Sequence, residues 1–277
     1  MQRRKFLKGL TTIFGFTTIA GLYSWQLEPF WLEFVKVKMS IANIPNKLID
    51  KTLMQISDIH VGPKVDFNYL VDSLNKAQAY QPDFVVYTGD FIHYEDEETL
   101  VSLRKCMNYA PKGKLGTLAI LGNHDYGEEW VDDKIADTIT GILEEKGIIV
   151  LRNNCKRING LNFIGVDDCW GTNFNPKKAL KNYNPNEATI VLCHNPDVCD
   201  LDIWNDYNGW ILSGHTHGGQ CKIPFIKAPV LPVKNKDFDK GIKKLSGGRT
   251  LYINRALGHL YQVRFNVRPE ITIFKLA

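Results

Sequence analysis

Seven side chains in this sequence are suited to holding metal, and they come in five short clusters. Asp58 and His60 sit in SDIH, Asp90 in YTGDF, Asn123 in GNHD, His194 in CHNPD, and His215 with His217 in SGHTHGGQ. Carboxylates, an amide oxygen and imidazoles, with no thiolate among them, suit Mn, Fe or Zn rather than Cu(I) or a structural zinc. Asp90 can serve two ions at once, which gives eight ligand bonds and hence two metal sites. Two divalent cations ~3.5–4 Å apart activate a water and clamp phosphoryl oxygens during in-line displacement. The expected cofactor is therefore two divalent metal ions, and the expected substrate a phosphate ester.

The clusters need rigid elements to bring them together, and each follows an apolar run of strand character. Residues 53–57 lead into Asp58, 84–87 into Gly89-Asp90, 117–121 into Gly122-Asn123, 189–193 into His194, and 209–212 into His215. Apolar spacing at Leu70, Val71, Leu74 and Ala77 predicts a helix over 67–79. A second helix is expected over 97–109, with the acidic run Glu95–Glu98 complementing its N-terminal dipole. Further strands are expected at 162–166, 250–254 and 270–276. Strand and helix in alternation imply an α/β fold with right-handed crossovers and helices covering both faces. In such folds ligands gather at the carboxyl ends of strands, where these clusters lie.

The 277 residues, 44% of them apolar, can bury one large core. Six cysteines at irregular spacing, none in a CxxC, read as buried free thiols rather than a disulfide scaffold or zinc knot. The net charge of +4 lies wholly within residues 1–38, leaving 28 basic and 28 acidic side chains beyond them. A neutral body offers no basic face to a nucleic-acid backbone, so no nucleic acid is expected as partner.

The basic surplus precedes an uncharged run from Gly9 to Leu27, about as long as a hydrocarbon core is thick. Residues 1–28 therefore read as a signal or membrane-anchor segment with the main domain outside. Arg3-Arg4-Lys5-Phe6-Leu7-Lys8 resembles the twin-arginine signal of bacteria, departing from it at Gln2. Thr18-Ile19-Ala20 is only a weak cleavage site, so cleavage is left open. Residues 29–49 read as a linker and 50–277 as the catalytic domain.

The order D-x-H, GD, GNHD, H-x-P, GHTH over residues 50–277 resembles that of the calcineurin-like metallophosphoesterases. GHTHGGQ, HNPD, and the closing segments at Arg255 and Arg268 resemble a narrower branch of exported phosphodiesterases and membrane-anchored pyrophosphatases. The resemblance implies a four-layer α/β/β/α sandwich. It assigns Asp58, His60 and His217 to one ion, Asn123, His194 and His215 to the other, and Asp90 to both. It makes His124 the group that stabilises the transition-state charge or protonates the leaving oxygen, with Asp125 fixing its tautomer. The implied protein is a phosphodiesterase or pyrophosphatase of an envelope or lipid-linked substrate, on the extracytoplasmic side of a bacterial inner membrane. A UDP-2,3-diacylglucosamine pyrophosphatase and a non-catalytic metal-binding scaffold are the alternatives.

Several other residues carry weaker expectations. His93 reads as a solvated loop histidine, and His259 has no assigned role. Asp167, Asp168 and Arg255 are open between structural and substrate-contacting roles. Residues 223–233, with three prolines and seven apolar side chains, cannot be regular structure; they form either an apolar rim beside the metals or a segment packed on the domain.

Overall fold

The computed structural model describes residues 14, 15, 17–94 and 96–277. Two six-stranded sheets lie face to face. The first holds β1 (Glu33–Met39), β12 (Glu270–Leu276), β2 (Thr52–Ile56), β3 (Phe84–Thr88), β4 (Gly116–Ile120) and β5 (Ile149–Val150), in that order. The second runs β10 (Gly241–Lys244), β11 (Thr250–Ile253), β9 (Trp210–Ser213), β8 (Thr189–Cys193), β7 (Leu161–Val166) and β6 (Asn154–Ile158). β2 to β5 are parallel, as are β7, β8, β9 and β11.

Alternation along the strands explains the layering. In β3, Val85 and Tyr87 face the helices α1 (Phe67–Gln78), α2 (Glu97–Cys106) and α3 (Asp133–Glu145), packing among Leu74, Leu103 and Ile139. Phe84 and Val86 point the other way, into the space between the sheets, where Phe84 meets Phe163 at 5.4 Å between ring centroids. In β8, Ile190 and Leu192 fill that same interior, while Val191 and Cys193 face outward beneath Trp204 and Tyr207. Truncating Phe84 to Ala would cost ~3–5 kcal/mol, because the opposite sheet cannot collapse onto the gap.

Each long helix starts on an aspartate that accepts from its first turn. Asp66 takes the N–H of Tyr69, Asp96 that of Thr99, and Asp132 those of Lys134 and Ile135. The second sheet has no comparable helical layer. Its outer face is covered by the five-residue α4 (Pro176–Leu180), short turns and loops. Among the described residues the fourth layer is thus thinner than expected, because the connections after β7 and β8 are too rich in Pro, Asn and Asp for long helices.

Residues 29–49 are not a linker. They contain β1, paired in parallel with β12 from Glu33–Glu270 to Met39–Leu276. EFVKVKM alternates with period two: Val37 and Met39 pack between the sheets, and exposed Lys36 and Lys38 protect an edge strand. Glu28 is also buried, accepting from the Val267 N–H at 2.6 Å. Of the expected anchor, residues 1–13 and 16 lie outside the described residues, the paired arginines among them. No helix among the described residues is long and apolar enough to cross a membrane.

Candidate active site

Five neighbouring strand ends deliver the seven residues singled out by type. β2, β3 and β4 of the first sheet lead into Asp58 and His60, Asp90, and Asn123; β8 and β9 of the second lead into His194, His215 and His217. The sheets are tied at this edge by Gln55, whose amide donates to Thr88 Oγ1 and to Ser213 O across the interface. All seven side chains are buried. Asp58, His60 and His217 form one convergent group, and Asp90, His194 and His215 another, each with ligand atoms within 4.8 Å of one another. Asp90 lies between them, its Oδ2 3.1 Å from His194 Nε2 and 3.6 Å from His60 Nε2.

The histidine tautomers show what belongs in the centre. His194 donates from Nδ1 to Thr88 O at 2.7 Å; burial works against its charge, but the Asp90 carboxylate raises its pKa well above the usual value, so Nε2 holds toward Asp90 a proton that a cation could replace. His60 donates from Nδ1 to Ile92 O, and its Nε2 stands 3.0 Å from His217 Nε2. His215 donates outward from Nε2 to Pro232 O at 3.0 Å. Backbone carbonyls thus hold three rings with one nitrogen aimed inward, as imidazoles that ligate metal are usually held.

Lone pairs converging on carboxylates repel unless a proton or a cation lies between them. Burial keeps His60 well below its usual pKa, and burial with the neighbouring His194 brings His215 down to about 4, so both rings are neutral ligands near pH 7. Burial alone would raise Asp58, but the hydrogen bond and charge of His217 bring it to about 2. Both polar atoms of the buried Asn123 amide, and Nδ1 of His217, have no protein hydrogen bond. Buried polar groups are rarely left so. The donor set fits two divalent ions, with Asp90 between them.

The backbone is strained where it does this. Asp58, His60, Asp90, His215 and His217 all have positive φ, between 50° and 68°. Non-glycine residues avoid that region at a cost of order 1–3 kcal/mol each, so the surrounding hydrogen bonds must impose it. They are present: Asp58 N–H donates to Gly89 O, His60 N–H to Asp90 O, and His215 N–H to the Asp58 carboxylate. Two glycines leave the necessary space. A Cβ on Gly122 would overlap Asp90 Oδ1, and one on Gly214 would overlap Ser57 Oγ and Asp58 Oδ2.

His124 reaches the cleft as expected. Its ring lies edge-on to His60 at 5.1 Å between centroids, and its nitrogens have no protein hydrogen bond among the described residues. Asp125 does not touch that ring. Its carboxylate accepts from the backbone N–H groups of Phe91 (2.8 Å), Ile92 (3.3 Å), Asp90 (2.9 Å) and Gly122 (2.8 Å). Asp125 therefore clamps the Asp90 loop to the GNHD turn, and the expected tautomer contact is corrected. The reason is local: Asn123–Tyr126 forms a single 3-10 turn, which sends consecutive side chains in different directions.

His93 is not a free solvated loop residue. It lies in the cleft, 5.2 Å from the His124 ring, with Lys64 Nζ 2.7 Å from its Nε2. Asp167 is structural, bonded to Arg152 and Asn173. Asp168 is buried near the metal ligands; burial pushes its carboxyl up to about 6, and one of its oxygens has no partner. Arg255 is occupied by Glu33 and Glu270. His259 is buried and donates to Lys64 O.

The sequence patterns missed the cleft walls except for Pro232, which falls within the segment 223–233. Trp130, Trp170, Pro232, Leu260 and Tyr261 enclose a cleft of about 370 Å³ over the metal ligands. Trp130 and Trp170 stack at 5.0 Å, and their outer edges abut His124 and His215. No periodicity marks them, because each comes from an irregular loop.

Comparison with known proteins agrees with this geometry. The chain is 28% identical to the Chlamydia trachomatis UDP-2,3-diacylglucosamine pyrophosphatase LpxG, over 96% of this chain and 95% of that protein. It is 28% identical to the Escherichia coli phosphodiesterase YaeI over the full length of both. It is 29% identical to the Bacillus subtilis metallophosphoesterase YkuE, over 100% of this chain and 98% of that one. Residues 51–219 match the calcineurin-like phosphoesterase family. That span holds every ligand position described above, and the chain belongs to this family of metal-dependent hydrolases that act on phosphate esters.

Proposed function

We propose that the protein is a dinuclear-metal phosphohydrolase that cleaves a phosphodiester or pyrophosphate bond in an envelope, lipid-linked substrate. In this reading residues 1–28 hold the domain on the extracytoplasmic side of a bacterial inner membrane. The observation that carries the hydrolase reading is the position of Asp90, which belongs to one three-residue group and stands 3.6 Å from His60 of the other, each group suiting one divalent ion. Asp58, His60 and His217 would hold the first ion, Asn123, His194 and His215 the second, and Asp90 both. Mn²⁺, Fe or Zn²⁺ in these positions would supply hydroxide near neutral pH and charge to clamp phosphoryl oxygens.

The protein's own groups do the rest. His124, with burial lowering its pKa, faces the cleft as a neutral ring that takes or gives a proton at the leaving oxygen. Asp125 holds Asp90 and the GNHD turn in register. Lys64, beside His93 at the cleft wall, adds a cation where an anionic substrate enters. The stacked tryptophans keep bulk water from one side of the reacting phosphoryl group.

Hydrolysis of bis-p-nitrophenyl phosphate with Mn²⁺, beside elemental analysis of the purified protein, tests the reading. Turnover with about two ions per chain is expected, and its loss in Asp90→Ala. A wild-type protein that binds ions without turnover would make it a scaffold. The similarity to LpxG favours, as a more specific reading, the pyrophosphate of a diacylated nucleotide sugar. Comparing lipid-linked pyrophosphates with water-soluble diesters separates the two.

A further inference from the structure

Segment 222–244 carries none of the metal ligands, yet its composition stands apart. It has seven lysines against Asp237 and Asp239, a net of +5 in a chain whose total is +4. Its middle is fastened to the domain. Leu231 and Val233 are buried, Lys236 Nζ donates to both of their carbonyls, and Pro232 O receives the His215 ring. The part before it is not: Phe225 is fully exposed, Val230 is 74% exposed, and Ile223 and Ile226 are more than half exposed. The loop is thus divided: its first half is bare, and its second half is packed on the domain and brings Pro232 to the cleft.

Pro224 and Pro229 lack the N–H groups a partner strand would need, so an extended peptide has little backbone to pair with. Four lysines, Lys222, Lys227, Lys236 and Lys243, surround a hollow of about 300 Å³ that they share with the two aspartates. The ion pairs there, Lys227–Asp237 at 2.7 Å and Lys222 and Lys243 each 2.6 Å from Asp239, set four ammonium groups against two carboxylates and leave positive charge in excess.

The loop also adjoins the N-terminal apolar residues. Lys222 N–H donates to Phe265 O, Arg264 N–H to Ser24 O, and the Gln262 amide to Trp25 O. Half-exposed Trp25 and exposed Tyr261 lie beside these contacts, Tyr261 O accepting from the Gln220 amide. Bare aromatic and aliphatic side chains, a ring of lysines just behind them, and continuity with an apolar N-terminal segment are the features of a surface that lies in a bilayer interface.

We infer that residues 223–230 dock into an anionic phospholipid surface. Phe225, Ile226 and Val230 enter the acyl boundary, and the lysines of the hollow take headgroup phosphates. Docking places the cleft behind Pro232 at the lipid surface. The contact itself is independent of the substrate, but its benefit to catalysis rests on the lipid-linked reading above.

Hydrogen–deuterium exchange of the full chain localises the contact separately from any N-terminal anchor. The chain is compared without lipid, with phosphatidylcholine vesicles, and with vesicles containing phosphatidylglycerol. Peptides over 222–233 should exchange at least several-fold more slowly with the anionic vesicles, and less so with the zwitterionic ones. Phe225→Asp with Ile226→Asp should abolish that protection, weakening insertion of the loop roughly 100-fold, while bis-p-nitrophenyl phosphate hydrolysis is unchanged. Lys227→Glu should remove the preference for anionic lipid. Equal exchange in all three conditions would overturn the inference. So would protection that arises without lipid and grows with protein concentration, which would assign the loop to a second copy. A wild type inactive on both the soluble diester and lipid-linked pyrophosphates, but protected by anionic vesicles, would refute the hydrolase reading and leave the docking surface standing.

Discussion

Asp125→Asn separates two accounts of the residue after His124. The carboxylate takes Phe91 and Ile92 N–H on one oxygen, and Asp90 and Gly122 N–H on the other. An amide can offer only one oxygen, so either way it turns, an NH₂ group faces two buried N–H donors. Burial and the charge of Asp90 push the Asp125 carboxyl up to about 8, so the loss is reckoned from the donors: a buried N–H left unsatisfied costs about 1–3 kcal/mol, and two cost ~2–6 kcal/mol. Native domains hold about 5–15 kcal/mol in total, so the variant should still fold. Its melting temperature should drop on the order of 10–20 °C. The bereft donors are the N–H of Asp90 and Gly122 in one orientation and those of Phe91 and Ile92, next along the same loop, in the other; either way the Asp90 loop loosens, and the bound ions should fall below two per chain. Thermal unfolding, elemental analysis and diester hydrolysis on the same preparation read all three. A variant with unchanged melting and full metal content but little turnover would refute the clamp, and return Asp125 to service of the His124 ring.

The remaining predictions probe other levels of the same site. His124→Ala should lower kcat ~10²–10⁴-fold with metal content intact, since the ring touches no ligand through a hydrogen bond; normal turnover would remove it from the reaction. Gly214→Ala should displace the Asp58 carboxylate, so that elemental analysis finds about one ion instead of two while circular dichroism is unchanged; two retained ions would contradict the close approach. Burial, with the charge of Arg264, holds His259 down to about 4 from 6.5. Between those values the unfolded chain binds a proton that the native one refuses, so stability falls as pH drops from 6.5 to 4, by ~3 kcal/mol from this group. In His259→Gln that share is absent, and the gap between the urea midpoints of wild type and variant should narrow across the window; parallel curves would refute the assignment.

The parts of the site that are single residues at strand ends were legible in the sequence, because a short apolar run ending in Gly-Asp or Gly-Asn signals both the strand and the turn. β8 and β12 coincide with the runs at 189–193 and 270–276. β1 was not legible: a charged, alternating heptapeptide beside a proline reads as a linker until β12 is known to lie next to it. Helix α3 was overlooked although Asp132 and the spacing of Ile135, Ile139 and Ile142 mark it. The partner of Asp125 could not be read at all, since a 3-10 turn has too few residues to show a period. Nor could Trp130 or Trp170, which only the folded loops bring face to face.

The position of β12 between β1 and β2 has a consequence for how the molecule is made. Two strands from the beginning of synthesis must wait, with the flanks that will receive it unsatisfied, for a strand more than 200 positions later. Contacts so distant along the chain make for slow assembly and a late commitment. Until β12 arrives, the sheet has a gap with adhesive borders where β1 and β2 will receive it. Such a chain gains from anything that shields those borders until the last strand is in place.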